Sequence, residues 1–172
     1  MIPQLIAVQE NPGIRGLLIV LNTVGGDVEA GLALAELIAS ISKPTVSLVL
    51  GGGHSIGIPL ATAADYSCIA PSAAMTLHPI RMTGLVIGAE QTYGYFRRMQ
   101  ERITDFIVKT SRAERSVITE LMSAKNDMAN DVGTILYGKD AVDSGLIDSV
   151  GGLNDALDKL REMTGAAAGE QL

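Results

Sequence analysis

The sequence predicts a single α/β domain built around a largely parallel sheet. Two short, unbroken apolar runs, residues 16–21 and 45–50, have the pattern of strands covered on both faces. Apolar residues between and after them recur at helical spacing, so strands and helices alternate along the chain. Alternation of this kind builds α/β architecture through right-handed crossovers. At 172 residues the chain suits one domain with a substantial core, and neither an internal repeat nor a linker divides it.

In order, residues 2–9 predict a short helix that stops at Asn11-Pro12-Gly13, a strong turn signal. The strand at 16–21 is followed by a turn over 22–27, where Asp27 is placed to cap a helix over 29–42. Leu34, Leu37, Ile38 and Ile41 form the apolar face of that helix, and Lys43-Pro44 ends it. The strand at 45–50 leads into a glycine run and a helix over 55–63. Strands at 66–70 and 74–77, a loop over 78–88, a long helix over 89–110 and another over 113–123 come next. A polar loop over 125–133, a short helix at 139–144, a brief strand at 146–149 and a helix at 154–163 complete the domain. Residues 1–164 form the domain and 165–172 a flexible tail.

Composition narrows the function. The core must be aliphatic, because 47% of residues are hydrophobic while aromatics are 3% and Trp is absent. A net charge of -6 with no basic cluster argues against nucleic acid as a partner. Cys68 is the sole cysteine, which excludes an intrachain disulfide and a Cys-rich metal site and fits a reducing, cytoplasmic setting. The most apolar stretch, 47–64, is broken by four glycines, His54 and Pro59, so no transmembrane segment is expected. No signal peptide is visible either, and a peripheral place at a membrane stays open. The glycines at 51–53 lack the Lys-Ser/Thr pair of a phosphate-binding loop, and no cofactor is expected.

One short motif points to chemistry. In Gly53-His54-Ser55-Ile56-Gly57 a serine stands between small residues where a strand pattern gives way to a helix pattern. Such a turn lifts the hydroxyl to where a base and a carbonyl can both reach it. A serine hydroxyl needs that base, being a poor nucleophile at neutral pH. His78, at the end of a predicted strand, is the histidine placed to serve, because His54 adjoins Ser55 and its side chain should point elsewhere. The turn at Gly25-Gly26 can present a bare amide to a developing oxyanion, and the Ile56 amide supplies a second donor. Asp127 and Asp131 are both available to orient the imidazole. The order serine, histidine, aspartate disfavours an α/β-hydrolase, which places its acid between the other two and its histidine late in the chain. Read singly, each of these residues has a structural explanation; their joint arrangement carries the reading.

Four stretches resemble the Clp protease proteolytic subunit family. Leu21-Asn22-Thr23-Val24-Gly25-Gly26-Asp27-Val28-Glu29-Ala30-Gly31 resembles its I-N-S-P-G-G-S-V-x-A-G signature, and Gly53-His54-Ser55-Ile56-Gly57 its A-A-S-M-G nucleophile turn. Thr76-Leu77-His78-Pro79 is similar to its M-I-H-Q-P strand, and Ala141-Val142-Asp143-Ser144-Gly145-Leu146-Ile147-Asp148 to its closing E-A-x-x-Y-G-L-I-D. Gly52-Gly53-His54-Ser55 and the loop Arg81-Met82-Thr83-Gly84-Leu85 are similar to the ClpP-like translocation-enhancing proteins of bacteria.

The resemblance implies a crotonase-like spiral of ββα units with a projecting handle helix, and ring-like homo-oligomers acting on unfolded polypeptides or peptides. It implies a serine endopeptidase, linked to protein export, with Ser55 as nucleophile, His78 as general base, and the Gly25 and Ile56 amides as oxyanion donors. For the acid it favours Asp131, with Asp127 in reserve, although ungapped alignment puts Gly133 at that position. Val24 and His54 replace the family's proline and alanine. By the same resemblance the chain starts at an internal helix, without the leading segment that docks an ATP-driven unfoldase, which leaves that partner undecided. The competing expectations are a catalytically impaired ClpP-like oligomer acting as an export assembly factor, a crotonase-type hydratase, and a Ser-Lys dyad using Lys43.

Overall fold

The computed structural model describes residues 1–81, 88–125 and 132–166. The sheet grows outward from its longest strand. The parallel strands β1 (Leu17–Thr23) and β3 (Tyr66–Ile69) flank the first half of β2 (Thr45–Gly53), with Leu21 beside Val49 and Val49 beside Ile69. Beyond Val49, β2 parts from β3 and meets β4 (Ala74–Leu77) through Gly52 and Ala74. β5 (Thr134–Tyr137) pairs antiparallel with β4, and β6 (Ser149–Val150) pairs parallel with β3. The strand order is β5-β4-β2-β3-β6, with β1 also on β2.

The divergence of β2 has a local cause. Four steps along β2, Val49 to Gly53, lie opposite two along β1, Leu21 to Thr23, so the register slips there. The Asn22 side chain bridges the slip, its Oδ1 accepting the Gly52 N–H at 2.9 Å. The glycine run thus continues the strand, which the sequence reading ends at residue 50, because the Gly52 amide still finds an acceptor.

Helices cover both faces. α2 (Val28–Ala39), α3 (Gly57–Thr62), α4 (Ala89–Thr110) and α5 (Arg115–Ser123) enclose the main core, in which Ile38, Val49, Ile58, Ile69, Met75, Ile107 and Ile118 are buried. α7 (Leu153–Thr164) covers the opposite face, packing Ala156 and Leu160 on Val46, Leu48 and Cys68. α1 (Ile2–Glu10) rests near α2, and α6 (Gly138–Asp143) joins β5 to β6. The core is aliphatic as composition requires, Phe106 being the one buried aromatic among the described residues. The long helix has the form of a handle: residues 89–98 bury no side chain, and Met99 is its first buried position.

Several expected boundaries move. α2 opens on Asp27, whose Oδ1 accepts the Ala30 N–H at 2.8 Å, but ends at Ala39 instead of residue 42. Ser40 turns its hydroxyl back to Leu37 O, and the Ser42 amide donates to Gln9 of α1, so the last turn is bonded outside the helix. The strand expected at 146–149 is displaced to β6, and β5, which the sequence reading leaves unassigned, completes the sheet edge beside β4. α3 begins at Gly57, not at residue 55, for a reason that lies at the site.

Candidate active site

Ser55 has φ of 57°, the only left-handed backbone at a non-glycine residue among those described. That conformation cannot continue a right-handed helix, so α3 starts after it. Cross-strand bonds hold the turn. The His54 N–H donates to Thr23 O of β1 at 3.1 Å, and the Ser55 N–H to Thr76 O of β4 at 2.8 Å. The His54 ring adds a bond between Nδ1 and Thr76 Oγ1 at 2.8 Å. A strained serine strapped between two strands is the arrangement expected of a nucleophile turn.

Ser55 and His78 border one cavity of about 180 Å³. Its remaining wall is mostly apolar, from Val28, Ile80, Ile103, Ile107 and Met122, with Gly26, Ile56 and the charged Arg81 also on it. A more open groove of about 350 Å³ between α2 and α4 contains charged side chains but neither a serine nor an imidazole. There Arg102 clasps Glu29 through two bonds, 2.7 and 3.1 Å, and holds its carboxyl below the usual carboxylate range.

His78 directly follows β4, and its Nδ1 lies 2.7 Å from Pro79 O. A carbonyl oxygen only accepts, so Nδ1 carries the proton and Nε2 of the neutral ring keeps its lone pair. No hydrogen bond joins Ser55 Oγ to His78 in this structure. Catalytic hydrogen bonds of ligand-free enzymes are commonly long and tighten around substrate.

Of the two expected oxyanion donors, the Ile56 amide has no acceptor among the described residues. The Gly25 amide is already engaged, donating to Thr23 Oγ1 at 3.1 Å. The Gly26 amide has no acceptor among the described residues, and Gly26 borders the cavity. A threonine hydroxyl bonding the amide two residues on is a standard turn, and Thr23-Val24-Gly25 carries the signal for it.

Asp127 and Asp131 lie outside the described residues. The described residues that follow them come close to the site: the Gly133 N–H donates to Ala124 O at 2.8 Å, and a Cβ on Gly133 would stand 2.8 Å from His78 Cβ. Asp65, the carboxylate between Ser55 and His78 in sequence, is used elsewhere, accepting from the Thr45 amide and hydroxyl at 2.8 and 2.9 Å. Lys43 is also committed, its ammonium donating to Val8 O and Asn11 O at the end of α1. That removes the Ser-Lys dyad.

The chain matches the Clp protease family over residues 1–153. It is 58% identical over 162 residues to the translocation-enhancing protein TepA of Halalkalibacterium halodurans, across 94% of this chain and 63% of that protein. It is 27% identical over 146 residues to the ATP-dependent Clp protease proteolytic subunit 1 of Chlamydia trachomatis, across 81% of this chain and 71% of that protein. The chain therefore spans just under two thirds of the length of the first of these relatives.

Proposed function

This chain belongs to the Clp protease family, and from that premise we propose that it is a serine endopeptidase cleaving unfolded proteins or peptides in connection with protein export. The observation that carries the reading is the left-handed Ser55 on the cavity that His78 also borders. Ser55 Oγ attacks the substrate carbonyl while His78 Nε2 takes its proton. The oxyanion is held by the Ile56 amide and, in place of the engaged Gly25 amide, by that of Gly26. Collapse breaks the C–N bond, and the imidazolium returns the proton to the leaving amine. Water, deprotonated by the same imidazole, then releases the acyl group and restores the serine.

In this scheme Asp131, with Asp127 in reserve, is the acid that stabilises the imidazolium formed during turnover. The aliphatic cavity wall favours apolar side chains. The export link rests on the name of the bacterial relative. A homo-oligomeric ring on the cytoplasmic side accompanies the reading, and no helix of the described residues is long and apolar enough to cross a membrane.

A fluorophosphonate probe tests the assignment. The wild-type protein should label, while Ser55→Ala and His78→Ala should not, with all three folded by circular dichroism. Undiminished labelling of Ser55→Ala would overturn it.

A further inference from the structure

The imidazole of His78 is held by one peptide group, and that group is held in turn by a side chain from another helix. The Pro79 carbonyl accepts from His78 Nδ1 at 2.7 Å. The amide of the same peptide unit, Ile80 N–H, donates to Gln100 Oε1 at 2.8 Å. Gln100 lies on α4, and its Nε2 donates to Met122 Sδ of α5 at 3.0 Å. The orientation of the Gln100 amide is unambiguous here, because a backbone N–H requires the oxygen as its acceptor.

We propose that Gln100 is a positioning residue for His78, acting through the Pro79–Ile80 peptide. The peptide is planar, so its carbonyl and its N–H cannot turn independently. Fixing the N–H on Gln100 therefore fixes the direction of the carbonyl. That direction sets both the plane of the imidazole and the nitrogen that carries its proton, leaving Nε2 unprotonated. Gln100 also ties two residues of the cavity wall, Ile80 and Met122, to one amide, which couples the shape of the cavity to the orientation of the base. The link does not depend on which aspartate joins the site, since it uses the peptide and not a carboxylate.

The catalytic part of this role rests on the peptidase reading, but the structural part has a readout of its own. Nitrogen-15 NMR of the purified protein, labelled at histidine and assigned with His78→Gln, reports which His78 nitrogen is protonated. In wild type the signal should be that of a single Nδ1–H tautomer. Gln100→Met keeps the length of the side chain and removes the acceptor for Ile80, and the signal should move to a tautomer mixture. Gln100→Glu keeps an acceptor oxygen and should retain the wild-type tautomer. Peptide hydrolysis by Gln100→Met should fall about 10- to 100-fold in kcat with KM within about twofold, and Gln100→Glu should recover most of it. An unchanged His78 signal in Gln100→Met would overturn the proposal, as would loss of the Nδ1–H tautomer in Gln100→Glu to the extent seen in Gln100→Met. Absence of probe labelling in wild type strikes the peptidase reading instead and leaves the NMR test of Gln100 intact. If Gln100→Met does not fold, Gln100→Leu, which also removes the acceptor for Ile80, takes its place in the same comparison.

Discussion

Gly25 and Ser55 are in such close register that a Cβ on Gly25 would stand 2.9 Å from Ser55 Cβ. Gly25 also has φ of 100°, which L side chains rarely adopt. The turn after β1 and the turn after β2 therefore fit together only while residue 25 lacks a side chain. Gly25→Ala should cost about 1–3 kcal/mol in denaturant unfolding and slow probe labelling of Ser55 by about 10-fold or more. Unchanged stability and labelling would show that the two turns can part without consequence.

Ser55 itself holds a conformation that disfavours a side chain. A left-handed backbone costs an ordinary residue about 1–2 kcal/mol. Ser55→Gly should accordingly raise stability by about 1 kcal/mol while abolishing labelling, the trade expected where strain serves a site. The check is the denaturant midpoint, and a lower midpoint would mean that the serine side chain stabilises the turn more than its backbone strain costs.

Cys68 is 1% exposed between the sheet and α7. Burial raises its thiol pKa from the ordinary 9.0 and disfavours the thiolate. Iodoacetamide should therefore modify the native protein slowly at pH 8 and the unfolded chain readily. With the folded pKa above the unfolded one, the contribution to stability is intact below about pH 9 and declines as pH rises through the folded value. The fall in unfolding midpoint from pH 8 to pH 10 should be steeper in wild type than in Cys68→Ala, and equal slopes would contradict this.

The clasp between Glu29 and Arg102 ties α2 to α4. Arg102 depresses the Glu29 pKa below 4.5, mainly through the side-chain hydrogen bond, so the stabilisation is present above that pH and is lost as pH falls through the lower folded value. Both side chains are about half exposed, at 52% and 54%, so solvent and salt screen the pair. Glu29→Gln should lower stability slightly at low ionic strength near neutral pH, with the difference from wild type vanishing at 1 M salt or once acid has protonated the depressed carboxyl. A difference that survives both conditions would assign the effect to packing and not to charge.

Much of the backbone was readable without coordinates. The ends of α4 fall where the sequence predicts them, because its apolar positions recur over many turns. Asp27 could be read as a cap for the same local reason. The errors arise where tertiary contacts override local signals. The strand pattern of β2 stops at Leu50, yet Asn22 and β4 draw the glycines after it into the sheet. Thr134 to Tyr137 is left unassigned between a polar loop and a short helix, and it becomes a strand because it pairs with the edge of β4.

The alternation of strands and helices, the aliphatic core and the motifs that identify the family are legible in the residues alone, since these depend on spacing and on the shape of single residues. That Ser55 and His78 border a common cavity, that Thr23 occupies the Gly25 amide, and that Gln100 reaches the base through a peptide emerge from the folded arrangement. Local patterns specify how the backbone bends. Which donor meets which acceptor across separate elements depends on distances that packing alone sets.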